Sequence, residues 1–155
     1  MSTSTTARRL AAVVLTTAAL GGVAALPASA AGHPAPQHRP DVRISRVQYD
    51  SPGREDGSNR SLNREWVEVT NTTRHAVNLG GWTLSGRDHH TYTFHHYCLG
   101  ARATVRVHTG IGHDTRTDLF QDRRHYTWDN HSDTAVLRND HGRTIDIASW
   151  GRRHR

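Results

Sequence analysis

From Asp41 onward the apolar residues recur at every second position, in short runs separated by turn-forming residues. Such alternation puts one side of each run against a core and the other in solvent, the pattern of β-strands. Val42 and Ile44 set the first register, and Val47 and Tyr49 continue it on the opposite parity. That slip predicts a bulge at residues 45–46, where one extra residue resets the facing. Val67 and Val69 then share a face, with Trp66 on the other, and Glu65 and Glu68 are read as the polar residues of that strand. Further strands are expected at residues 77–79, 82–84, 92–94, 104–108, 134–137 and 144–147. Residues 51–63 read as a loop, residues 139–142 as a turn, and residues 109–124 as a long irregular segment anchored by Leu119 and Phe120. No helical period occurs beyond the N-terminal segment. Many short strands at regular spacing, with no internal repeat, specify an all-β sandwich.

The first thirty residues carry a different signal. Arg8 and Arg9 precede an apolar run from Leu10 to Leu26, and Pro27-Ala28-Ser29-Ala30 supplies a helix breaker and small residues. This is the layout of a secretory signal peptide with cleavage after Ala30. Residues 31–40 are rich in Pro, Ala, His and Gln and read as a flexible linker. Residues 41–151 form the expected folded domain and residues 152–155 a basic tail. The expected product is a secreted monomer with no transmembrane segment and no cofactor.

All 20 basic residues are arginine, against 14 acids, for a net charge of +6 with histidine neutral. A positive surface of this kind favours anionic partners such as envelope polymers, nucleic acid or acidic polysaccharide. Cys98 is the single cysteine, so no internal disulfide and no cysteine-rich zinc site is possible. Its place between Tyr97 and Leu99 predicts a buried thiol.

Four ordered landmarks carry a family resemblance: REWVEVTN at 64–71 and LGGWTL at 79–84, then YTF at 92–94 with VHTG at 107–110, and finally TWDN at 127–130 with DTAVLRN at 133–139. Together they resemble the lamin tail domain over nearly the whole processed chain. The resemblance implies an immunoglobulin-like β-sandwich of about seven to nine short antiparallel strands. It also implies a non-enzymatic interaction or structural module with an unknown protein or cell-wall partner. The landmark positions are Trp66, Asn71, Gly81, Trp82, Phe94, Gly110, Trp128 and Asp133. Trp82, Phe94 and Trp128 are expected as large core fillers in a chain with few aromatics. His95 stands where the family commonly has Pro, and Arg102 where it commonly has Gly.

Several constellations could carry chemistry. Asp122-Arg123-Arg124-His125 is similar to the Asp-Arg-Gly-His motif of metal-dependent nucleases, with His125 as the base. However, Arg124 replaces the Gly, and Asn130 follows too soon for that family's metal ligand. His89-His90 and His95-His96 flank one strand, and six residues of extended chain separate like faces by roughly 20 Å, too far to share an ion. No nucleophile elbow surrounds any serine. Asp50, Glu55 and Asp56 fit no EF-hand spacing. The reading is therefore no catalytic residue and no metal site.

Overall fold

The computed structural model describes residues 40–88 and 90–151. The proposed signal peptide, its cleavage point at Ala30, the linker up to residue 39, His89 and the tail at 152–155 lie outside the described residues. The elements are β1 Val42–Gln48, α1 Asn59–Leu62, β2 Trp66–Asn71, β3 Val77–Asn78, β4 Thr83–Ser85, β5 Thr91–Thr93, β6 Cys98–Leu99, β7 Thr104–His108, β8 Asp118–Phe120, β9 Ser132–Arg138 and β10 Thr144–Gly151. They build one sheet in the order β1-β2-β7-β8, a second in the order β10-β9-β4-β5, and a β3-β6 ribbon. Val67, Val69, Val105 and Val107 from the first sheet pack with Leu84, Ala135 and Leu137 from the second. Phe94 and Leu99 complete this core, both fully enclosed. The result is an immunoglobulin-like sandwich.

The period-two reading survives where side chains alternate cleanly. β9 buries every second residue from Asp133 to Leu137. The expected bulge is present: Ile44 pairs with Val69, but Arg46 pairs with Glu68, so Ser45 is the extra residue. Both Ser45 and Arg46 stay exposed, and the core facing resumes at Val47. The turn at 139–142 closes with the Gly142 N–H on the Asn139 carbonyl at 2.9 Å.

Four expectations need correction. Residues 51–63 are not all loop, because α1 forms there, capped by the Ser58 hydroxyl accepting from the Ser61 N–H at 3.2 Å. One helical turn is too short to print a periodic pattern. The segment 109–124 contains β8, which pairs parallel to β7, so the strands are not all antiparallel. Three residues with one buried apolar side chain, Leu119, carry no alternation to read. Cys98 is exposed rather than buried. Leu99 takes the core position of β6, and the pleat turns its neighbour outward. Glu65 is not a solubilising residue, being fully buried at the entrance to β2.

Arg102 adopts φ +57°, in the left-handed region, within the turn closed by the Ala103 N–H on the Gly100 carbonyl. This is the position where the family commonly has Gly. An L-residue pays about 1–2 kcal/mol there, and glycine's extra unfolded-state freedom offsets about 0.4–1 kcal/mol of the relief. Arg102→Gly is therefore expected to raise unfolding stability by about 0.5–1 kcal/mol. A urea titration with an unchanged slope checks it; a lower midpoint would contradict the turn geometry.

Candidate interaction surfaces

The end of the sandwich near α1 is organised by Glu65. Its carboxylate accepts the Thr109 hydroxyl at 2.5 Å, the Thr127 N–H at 2.8 Å and the Trp128 N–H at 3.4 Å. One buried side chain thus ties the start of β2 to the turn after β7 and to the segment before β9. Burial pushes the carboxyl up to about 7, although the Thr109 and backbone hydrogen bonds favour its ionised form. Gly110 sits beside this hub, and a Cβ there would collide with the side-chain oxygens of Asn63 and Asn59. Those two amides bond the Ile111 carbonyl at 2.9 Å each, so the close approach is structural.

Trp66 occupies the outer face of the β1-β2-β7-β8 sheet, which the second sheet does not cover. The Arg106 guanidinium lies 4.3 Å from the centre of its ring and that of Arg46 lies 5.7 Å away. Cation–π attraction suits this arrangement because guanidinium stacks on an indole face without surrendering its edge donors. Arg106 Nε also donates to Glu68 at 3.2 Å, whereas Arg46 has no carboxylate partner among the described residues. Arg43 is exposed on the same face, opposite Thr70. Beside them His108 stacks on Phe120 at 5.1 Å and bonds Asp118 at 3.0 Å. Hydrogen bonds from the Thr117 hydroxyl and the His108 ring hold the Asp118 carboxyl below its ordinary range. The bulge at Ser45 is what delivers Arg46 to this face.

The remaining landmarks are structural in their contacts. Asn71 is fully buried; its amide donates to the carbonyls of His75, Leu99 and Gly100 at 2.7, 3.2 and 2.9 Å. Its oxygen accepts from the Thr73 N–H and hydroxyl at 2.9 and 2.8 Å. Asp133 accepts the Arg87 N–H at 3.0 Å, pinning the turn after β4 to β9. Gly81 takes φ +82°, with Asp140 close to where a Cβ would stand. Trp128 is buried and meets Trp150 edge-on at 5.8 Å, while Trp150 stacks on Tyr49 at 4.8 Å. Trp82 is half-buried at the margin of the core.

The family model for the lamin tail domain matches residues 35–152. This chain belongs to the lamin tail domain family. A comparison with curated proteins finds no significant match. Lamin tail domains are structural immunoglobulin-like modules, and the packing roles of the landmark residues fit that description.

The sequence-level enzyme candidates are scattered in this lamin tail domain. Arg123 donates to the His90 ring at 3.3 Å and to the Thr91 carbonyl at 3.4 Å. His125 is exposed, and Asn130 donates to Glu55 at 3.0 Å instead of joining it. Ser85 accepts from Arg138 at 3.0 Å. Asp56 caps α1's approach by accepting the Ser58 N–H at 2.9 Å, and Ser58 holds its carboxyl below the usual range. No group of three metal-ligating side chains forms among the described residues. No helix among them is long and apolar enough to cross a membrane.

The arginines converge differently from their order in the chain. Arg102 and Arg106 separate between a turn and a strand, and Arg123 turns toward β5. Arg46 and Arg106, about sixty residues apart in sequence, are the two that share the Trp66 ring. Cross-strand register is the only signal that could have found them, through the bulge that places Arg46 opposite Glu68 and Glu68 opposite Arg106.

Proposed function

We propose that this chain is a secreted, non-enzymatic lamin tail domain that docks an anionic polymer at the outer face of the β1-β2-β7-β8 sheet. The observation that carries the reading is the placement of both the Arg46 and the Arg106 guanidinium over the Trp66 ring on the outer face of the sheet. Stacking on the ring orients both guanidinium groups and lowers the entropy lost when they grip an anion. Secretion is supported by the Arg8-Arg9 start, the apolar run and the small-residue end at Ala30. A released, soluble product is the corresponding location, and sequencing the N-terminus of the exported protein tests it.

Retention on heparin resin tests the docking face. The protein is expected to elute earlier as salt rises, since each arginine–anion contact releases counterions. Arg46→Ala with Arg106→Ala is expected to shift elution to distinctly lower salt while the fold persists. Equal retention of the double variant would move the site elsewhere. Incubation with plasmid DNA and Mg²⁺ is expected to leave the DNA intact; cleavage abolished by His125→Ala would overturn the non-enzymatic reading.

A further inference from the structure

The outer face of the β1-β2-β7-β8 sheet carries its charges in one row, fixed by strand register. Arg46 of β1 lies opposite Glu68 of β2, Glu68 opposite Arg106 of β7, and Arg106 opposite Asp118 of β8. The signs alternate along this row, and the register places an acid between the two arginines that share Trp66. For a surface that grips anions this is an awkward position for an acid, because like charges at close quarters repel. Charge alone predicts that the face would bind anions better without Glu68.

The hydrogen bonds around Glu68 give it another task. Each hydroxyl has one hydrogen to donate. Ser45 gives its hydrogen to Glu68 Oε1 at 2.8 Å, so Thr70 must donate to Ser45 at 2.8 Å and Thr104 to Thr70 at 2.9 Å. Three hydroxyls from three strands thus run in one direction and end on one carboxylate oxygen. The other oxygen, Oε2, accepts the Arg106 Nε–H at 3.2 Å. The Glu68 side chain is 19% exposed against 44% for Arg106, so the acid is the anchored member of the pair. Nη1 and Nη2 of Arg106 make no hydrogen bond among the described residues, and the guanidinium carbon lies 4.3 Å from the centre of the Trp66 ring. Held at Nε and supported by the ring, the group presents a free two-pronged edge. That edge matches two oxygens of a sulfate, phosphate or carboxylate.

We infer that Glu68 is a positioning residue of the docking face, an acid that strengthens binding of an anionic polymer by aiming Arg106 at it. The inference rests on the docking reading given above. An unfastened arginine surrenders rotamer freedom when it grips an anion, and Glu68 with Trp66 removes that freedom beforehand. Asp118, the other acid of the row, bonds His108 and Thr117 and makes no hydrogen bond to the guanidinium. Only Glu68 holds it.

The test is a double-mutant cycle, read as the affinity of the protein for a heparin octasaccharide at fixed salt. Glu68→Ala is measured in the native chain and in Arg106→Ala. With Arg106 present, the substitution removes both the repulsion and the positioning; without it, only the repulsion is left to remove. Glu68→Ala is expected to tighten binding in the Arg106→Ala background and to weaken it in the native one, a difference of at least about threefold. An equal change in both backgrounds, the result of a general loosening of the sheet, would overturn the assignment, as would a larger gain in the native chain. In the ligand-free protein, the Arg106 Nε–H signal in a ¹H–¹⁵N spectrum is expected to exchange slowly with water, and rapidly in Glu68→Ala. Equal exchange in the two would also overturn it. Failure of the docking reading looks different: the octasaccharide would bind equally to the native protein and to Arg46→Ala with Arg106→Ala, or to neither, and both readings would then go.

Discussion

Raising the pH from about 4.5 to about 7 is expected to lower the unfolding stability of this domain by roughly 3 kcal/mol through Glu65 alone. The sign follows from the fold's preference for the protonated acid. The carboxyl titrates near 4.5 in the unfolded chain and is raised to about 7 in the folded one. Its contribution is therefore fully present below 4.5 and is lost as pH rises through 7. Burial outweighs the three hydrogen bonds that favour the anion, and among the described residues no cation pairs with Glu65. Urea midpoints measured across this window for the native protein and Glu65→Gln isolate its share. The amide keeps an acceptor for Thr109 and Thr127 but does not titrate, so its stability curve should be flatter by that amount. Parallel curves would mean the carboxylate is better solvated than its enclosure implies. Glu65→Ala should cost about 3 kcal/mol or more at the acid end, since it strands the Thr109 hydroxyl and two amide donors in a cavity.

Phe94→Ala is expected to cost about 3–5 kcal/mol, the range for emptying a well-packed aromatic site. Phe94 is fully enclosed, with Tyr92 packed edge-on at 5.1 Å and Tyr97 at 6.3 Å. Close packing around an enclosed ring lets the neighbours relax only partly into the space, so the cavity persists. Trp82 offers the contrast. It lines a groove of about 560 Å³ with Val77, Arg143 and Ile145, so part of its ring already meets water. Trp82→Ala is expected to cost roughly half as much as Phe94→Ala, despite the larger side chain. Chemical denaturation of both variants with comparable slopes checks the order; a reversed order would relocate the centre of the core.

The uneven legibility of this chain has a physical pattern. Strands that bury alternate residues, such as β2, β7 and β9, announce themselves because the pleat converts sequence parity directly into facing. Elements of two to four residues, such as β6, β8 and α1, have too few positions to show any period. Buried polar residues are the other blind spot. Glu65 heads a strand like any solvating acid, and nothing local distinguishes it from Glu68, which is on the outer face pairing Arg106. What distinguishes them is the arrival of Thr109 and Thr127 from forty-four and sixty-two residues away.

Alternation of apolar side chains, turn residues and four ordered motifs determined the sandwich and its family from the chain alone, because each depends on neighbours within a few positions. The tertiary structure decided which arginines share Trp66, which acid is enclosed and which tryptophan reaches the core. Those outcomes depend on the register between strands distant in sequence. That register is settled by the sum of all contacts across two sheets, which no local segment encodes.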